Sequence, residues 1–300
     1  MPDDLFTVRD YFRYAVSEFR KARLAFGHGA ATAVDEAAFL VLEGLNLPVD
    51  DINPWLDARL SAPEKSRLAE LIAARVETRK PAAYLLGKAY MHGVPFEVDE
   101  RVIVPRSFIG ELFFSEAAVG ANGWLCENPA AVSSVLDLCT GSGALAVLAA
   151  MVFPNAEIVG ADISGDALDV AALNVAEHGL EQRIELVEGD LFAPLKGRRF
   201  DLIVSNPPYV SAEAMAALPA EYRAEPALAL AGGDDGLDVV RRILAEAPAH
   251  LAPEGGLLCE IGTGRDILEA DYPRFDFFWP DTEGSAGEVF WLKAGDFPTN

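Results

Sequence analysis

From Val135 onward the sequence alternates short apolar runs with amphipathic stretches, and few folds accept that alternation. "SVLDL", "AEIVGAD", "RIELVEGD", "FDLIVSN", "GGLLCEI" and "GEVFWL" read as strands, while "GALAVLAAMVF", "SGDALDVAALNVAEHG" and "GLDVVRRILAEAPAHL" read as helices. Strands alternating with helices imply an α/β fold, a Rossmann-like, mostly parallel, doubly wound sheet covered on both faces. In such a sheet ligands bind outside the carboxyl ends of the strands, near the reversal of strand order. The chemistry is therefore expected at the strand ends.

Upstream the pattern differs, and residues 1–80 read as a small all-helical domain with no chemical motif. "AATAVDEAAFLVLEGL" offers Thr32 as an N-cap with Asp35 and Glu36 in the first turn, and "APEKSRLAELIAARVETRK" has Pro63 near its start and Pro81 just past its end. A domain of this kind suits substrate recognition. Residues 81–110 change character again: "VPFEVDERVIVP" has two apolar segments around the polar Asp99-Glu100 pair, as a β-hairpin linker would. "FIGELFFSEAAVGA" predicts a helix, and residues 111–300 hold the α/β domain.

Length and composition exclude several classes. At 300 residues and 51% hydrophobic, the chain can bury a full-sized core in one or two domains. No apolar run is long enough to span a bilayer, and "MPDDLFTVRDYF" lacks the basic stretch and apolar core of a secretory signal, so a cytoplasmic location is expected. Cys126, Cys139 and Cys259 show no paired spacing, and His28, His92, His178 and His250 lack ligand spacing. No metal site is expected; the histidines read as surface or capping residues and the cysteines as small buried hydrophobes. The net charge of −23 repels nucleic-acid phosphate and suits a basic macromolecular partner.

Polar residues stand in order at the strand ends. "DLCTGSG" carries Asp137, then Gly141 and Gly143 in a turn that lets backbone approach a ligand and offers unpaired N–H donors. Asp162 closes the second strand about twenty residues on, suited to ribose hydroxyls. Asp190 in "EGDLF" can accept from an adenine amino group, and Glu260 closes the fifth strand. Together these describe an adenosine site, although Gly141, Gly143 and Ala146 also fit a dinucleotide fingerprint, so the turn alone separates neither NAD nor S-adenosylmethionine.

"SNPPYV" separates them. Prolines fix φ and lack an N–H, so after "FDLIV" the chain leaves the sheet with Asn206 and the Pro207 carbonyl as two acceptors of preset separation. A planar NH₂ group fits them, and Tyr209 can pack on its π-face. An amide or aromatic amine is a weak nucleophile because its lone pair is delocalised; acceptors that hold its hydrogens favour pyramidalisation and aim that lone pair at an electrophilic methyl. S-adenosyl-L-methionine supplies such a methyl and leaves as S-adenosyl-L-homocysteine. Positioning then does most of the catalysis, and the proton is expected to leave to water.

These motifs resemble the protein N5-glutamine methyltransferases of the HemK type. "DLCTGSG", "GADIS", "EGDLF" and "SNPPYV" match in order and spacing, and the resemblance covers nearly the whole chain. It implies a helical N-terminal domain, a hairpin linker and a class I S-adenosylmethionine-dependent domain. It further implies that Asn206, Pro207 and Tyr209 are catalytic and hold a glutamine side chain, with Pro208, Arg106 and Glu225 alongside. The implied cofactor residues are Asp137, Thr140, Gly141, Ser142, Gly143, Asp162, Ile163, Asp190, Leu191 and Asn206. "VPRS", with Arg106 and Ser107, looks like the branch acting on the third large-subunit ribosomal protein; the release-factor branch usually has "PRPETE" there. Cys139 and Asp234 depart from the pattern without touching the chemistry.

The long stretch "SAEAMAALPAEYRAEPALALAGGDDGL" predicts a lid hinged at Gly232, Gly233 and Gly236, with Glu225 and Pro226 near the site. The expected partner is a basic protein, with no membrane, no direct nucleic-acid contact and a monomeric chain. Release-factor glutamine methylation, base-amine methylation, an NAD-dependent oxidoreductase and a cofactor-binding scaffold without catalysis are the alternatives. A base-amine enzyme would require base flipping and a basic surface that this chain lacks.

Overall fold

The computed structural model describes residues 4–282 and 284–298. Four helices come first: α1 (Val8–Lys21), α2 (Ala33–Gly44), α3 (Ala62–Thr78) and α4 (Ala82–Leu86). Their starts follow from local chemistry. The Thr32 hydroxyl accepts from the Val34 and Asp35 N–H groups, and Ser61 donates its N–H to Glu64 at 2.7 Å in a capping box, with Pro63 in the first turn. The helices close a core around Phe19, Leu40, Leu68 and Ile72.

One charge pair lies inside this core. Glu36 is buried rather than a solvated first-turn carboxylate, and it receives the fully buried Arg75 guanidinium on both oxygens. Arg75 also donates to the Arg79 carbonyl at 3.0 Å and the Ala25 carbonyl at 3.2 Å, and the Ala82 N–H donates to Glu36 at 3.3 Å. Both charges of this pair thus have partners, and α2, α3 and α4 are pinned together.

The linker hairpin is shifted from its predicted place. Strands β1 (Lys88–Met91) and β2 (Val94–Glu97) pair antiparallel around His92-Gly93, whose φ values of 51° and 78° make a two-residue primed turn. The chain does turn at Asp99-Glu100, where the Val102 N–H donates to the Asp99 carbonyl at 3.2 Å and the Asp99 carboxylate accepts from the Arg101 backbone and side chain, but this turn joins no paired strands. Residues 102–107 then pair with no strand, and Val102, Ile103 and Arg106 reach the crevice at the strand ends. Helix α5 (Phe108–Phe113) begins at the Ser107 cap but ends in turns well short of the predicted length.

The remaining strands, β3 (Ser134–Leu138), β4 (Glu157–Asp162), β5 (Ile184–Glu188), β6 (Phe200–Ser205), β7 (Leu251–Glu260) and β8 (Val289–Lys293), form one sheet in the order β5-β4-β3-β6-β7-β8. All neighbours are parallel except β7 and β8. Neighbouring residues face opposite cores: Val135, Leu202 and Leu258 face one side, Leu136, Ile203 and Leu257 the other. Helices α6 (Ala144–Val152) and α7 (Gly165–Glu177) cover the first side; the second is covered by α9 (Asp238–His250) and α10 (Arg265–Asp271), after a short α8 (Ala212–Ala217) in the loop following β6. Burial on both faces explains the near-continuous apolar runs.

Among the described residues, no helix is long and apolar enough to cross a membrane. Removing one partner of the buried pair strands a charge: Glu36→Ala should cost about 3–5 kcal/mol in urea unfolding. Glu36→Leu combined with Arg75→Met should recover most of that loss, because the uncompensated charge is gone.

Candidate active site

Strand order reverses between β3 and β6, where Leu138 lies beside Ser205, so the turn after β3 and the residues after β6 open into one crevice. The turn is built by alternate left-handed residues, Cys139, Gly141 and Gly143, at φ 59°, 55° and 77°. A Cβ on Gly143 would lie 3.1 Å from that of Ala171, so glycine there lets α6 pack on α7. On Gly141 it would enter open space within the crevice. The sequence predicts unpaired N–H donors in this turn, but the Gly141 N–H donates to Asp162 Oδ2 at 2.9 Å, while Asp162 Oδ1 accepts from the Ser164 N–H at 2.9 Å. The carboxylate therefore ties β4 to the turn, and burial raises its pKa.

The crevice is a cavity of ≈ 210 Å³. Of the predicted cofactor residues, Gly141, Asp162, Ile163, Asp190, Leu191 and Asn206 line it, and Pro208 joins them. Asp137, Thr140, Ser142 and Gly143 stand behind the wall. Asp137 is wholly buried, accepts from the Thr140 hydroxyl at 2.6 Å and keeps Oδ1 without a partner; burial pushes its carboxyl up to about 7. Asn174, which no sequence motif marks, holds this wall to the hairpin: it donates to the Ser142 carbonyl at 2.9 Å and exchanges bonds with Glu97 at 2.7 and 3.0 Å.

Other lining residues carry no sequence signal. Val102 and Ile103 come from the unpaired linker, Leu228 and Ala229 from the long loop, and Arg242 from α9. Arg242 donates to Asp190 at 2.8 Å, leaving the second Asp190 oxygen for other donors. The cavity fits an adenosine cofactor: open space over a left-handed glycine, carboxylates at two successive strand ends, and the half-exposed Ile163 as an apolar wall.

A second cavity of ≈ 230 Å³ adjoins the first, sharing Ile103, Asn206 and Ala229, with Arg106, Pro207, Tyr209 and Tyr222 in its wall. Asn206 stands where they meet. Its Nδ2 donates to the Arg106 carbonyl at 3.1 Å, and since only the nitrogen end of an amide can donate, Oδ1 is left as the acceptor end. Among the described residues no donor reaches the Pro207 carbonyl. The Tyr209 hydroxyl donates to Glu260 at 2.8 Å, and a Cβ on Gly262 would stand 2.8 Å from the Tyr209 ring, so glycine admits that ring. Glu260 is buried, which raises its pKa, and it also accepts from the Ser107 hydroxyl at 2.7 Å and the Phe108 N–H at 3.0 Å. The strand-end carboxylate thus anchors Tyr209 instead of facing a ligand.

Glu225 lines neither cavity. It is buried behind Arg106 and takes that guanidinium on both oxygens, at 2.6 and 2.7 Å. The predicted hinge glycines are tightly packed, Gly232 and Gly236 against the Tyr209 backbone and Gly233 against Asp238. The Val210 N–H donates to the Leu230 carbonyl at 2.8 Å, stitching the loop to the motif. Two histidines read as surface residues are buried: His28 against Tyr222, with its pKa pushed down to about 4 by desolvation, and His250 stacked on Phe192. No histidine lines either cavity. The cysteines are free, with Cys259 buried and Cys126 and Cys139 half-buried.

The profile of the methyltransferase small domain matches residues 122–221. The chain is 59% identical to a ribosomal protein uL3 glutamine methyltransferase of Bradyrhizobium diazoefficiens, over 98% of this chain and 92% of that protein. It is 52% identical to the protein of that name in Bordetella pertussis, over 96% and 95%, and 50% identical to the one in Burkholderia pseudomallei, over 99% and 97%. Among solved structures, a methyltransferase from Pyrococcus furiosus is similar at 17% identity and a TM-score of 0.49, covering 77% of this chain and 98% of that one. With half or more of the sequence shared over nearly the full length of each protein, the chain belongs to the family of ribosomal protein uL3 glutamine methyltransferases.

Proposed function

We propose that this enzyme transfers a methyl group from S-adenosylmethionine to the side-chain amide nitrogen of a glutamine in ribosomal protein uL3. The observation that carries this reading is Asn206 at the junction of the two cavities, its Nδ2 bonded to the Arg106 carbonyl and Oδ1 left to accept. The relatives' names support the choice of substrate. A charge of −23 suits a basic ribosomal protein, whose approach it would steer, and a substrate of that kind supports a cytoplasmic location.

Asn206 Oδ1 and the Pro207 carbonyl accept the two hydrogens of the target amide, and the Tyr209 ring, fixed by Glu260, covers its face. These contacts weaken delocalisation of the nitrogen lone pair and aim it at the cofactor cavity. Bound S-adenosylmethionine supplies an electrophilic methyl there, on a sulfonium whose charge disappears on transfer. Gly141, Ile163, Asp162, Asp190 and Leu191 would hold the cofactor, with Asp137, Thr140, Ser142 and Gly143 supporting them from behind. Catalysis is orientation more than acid–base chemistry. The proton leaves to water: no histidine is at hand, and Glu260 already accepts three donors.

Labelled cofactor incubated with uL3 and with ribosomal RNA should mark the protein alone; label on RNA would favour the base-amine reading. Asn206→Ala should lower the transfer rate roughly a hundredfold or more, as loss of one transition-state hydrogen bond does elsewhere. Its affinity for S-adenosylhomocysteine by calorimetry should barely change. Gly141→Val should do the reverse, abolishing cofactor binding because its side chain enters the cavity, with some loss of stability because a β-branched residue is strained at φ 55°.

A further inference from the structure

We infer that Glu225 is a positioning residue for methyl transfer, acting through Arg106 on Asn206, and that docking of its loop on the helical domain holds it in place. The inference rests on Asn206 as the acceptor of the target amide. An asparagine amide is oriented only as firmly as the group it bonds, here the Arg106 carbonyl at 3.1 Å. That carbonyl belongs to the unpaired stretch between β2 and α5, so no sheet ladder fixes it.

Glu225 supplies what the ladder does not. One carboxylate grips the stretch twice, accepting the Val104 N–H at 3.0 Å and the Arg106 guanidinium on both oxygens. The Arg106 guanidinium also donates to the Val104 carbonyl at 3.2 Å, closing a ring of bonds across three residues. Glu225 is only 5% exposed, and the guanidinium compensates its charge. Without that pair the side chain of Arg106 would seek solvent and carry its backbone along.

The grip depends in turn on the first domain. Glu221, one turn earlier in the loop and fully buried, accepts from the Ala25 N–H at 3.0 Å and pairs with Arg79 at 2.6 Å. Tyr222 lies between its two neighbours, with ring centroids 4.2 Å from His28 and the Arg106 guanidinium 5.7 Å from the Tyr222 ring. Gly27 has no room for a Cβ because the Tyr222 hydroxyl occupies that space. Glu221 therefore faces the helical domain, and Glu225 reaches both ways, 3.8 Å from His28 Nε2 in that domain while gripping the stretch that orients Asn206.

The test compares Glu225→Gln and Glu221→Gln with the unaltered enzyme, using uL3 and labelled S-adenosylmethionine. Glu225→Gln should lower kcat by roughly tenfold to a hundredfold, the scale of small misplacements in a reacting pair. KM for uL3 and affinity for S-adenosylhomocysteine should stay near the wild type, while the unfolding midpoint falls because Arg106 loses its charge partner. Glu221→Gln, whose side chain touches neither cavity, should lower kcat in the same sense by less. The double variant should lose less than the product of the two, since both act through one carbonyl. A wild-type kcat in Glu225→Gln, or a fall matched by lost cofactor affinity, would overturn the inference. Should Glu225→Gln not fold, a wild-type kcat in Glu221→Gln overturns it equally. Wild-type activity in Asn206→Ala would instead defeat the reading of the site itself.

Discussion

The hydrogen bond from Asn206 Nδ2 to the Arg106 carbonyl decides what the site can accept. A side-chain amide has a donor end and an acceptor end of nearly equal shape, and a carbonyl facing one end fixes which way round it sits. With the nitrogen committed, Asn206 offers an acceptor beside the free Pro207 carbonyl, and a group with two hydrogens on one atom satisfies both. Reversed, the same residue would present a donor and the pair would reject an amide NH₂. The prolines matter because a residue with an N–H at either position could divert these acceptors into a ladder or turn.

That arrangement sits where strand order reverses, which brings the glycine turn of β3 and the asparagine after β6 to one point. Much of the remaining structure holds the two sides still. Asp162 ties the turn to β4, Asn174 ties it to the hairpin, Glu260 fixes Tyr209 and Glu225 fixes the stretch bearing Arg106. Glu36, Glu225 and Glu260 have donors on both oxygens, as burial of charge requires, while Glu221 takes both of its partners on Oε1. Asp137 keeps one bare oxygen behind the cofactor cavity, and burial raises its pKa.

The sheet, the glycine turn and the methyl-acceptor motif are legible in sequence because each depends on residues close together in the chain. Short apolar runs, left-handed glycines and prolines after a strand act locally. The hairpin is misplaced because Asp99-Glu100 looks like turn chemistry, whereas His92-Gly93 turns the chain with two residues of positive φ. Glu36 with Arg75 and Arg106 with Glu225 are pairs 39 and 119 residues apart, and no local pattern announces such partners. Glu225 and Arg106 are picked out by the sequence as substrate contacts; in the structure they bind one another, and Arg106 alone lines the acceptor cavity. The loop glycines invite a hinge reading, but close packing against Tyr209 and Asp238 gives them a different reason to lack side chains.

A structure of the enzyme with S-adenosylhomocysteine and a glutamine-bearing segment of uL3 tests the central claim most directly. The account predicts the target amide nitrogen between Asn206 Oδ1 and the Pro207 carbonyl, pointing at the cofactor sulfur, with Asn206 Nδ2 still on the Arg106 carbonyl. A target nitrogen held by other residues, or an Asn206 amide turned to offer its nitrogen to the substrate, would contradict it.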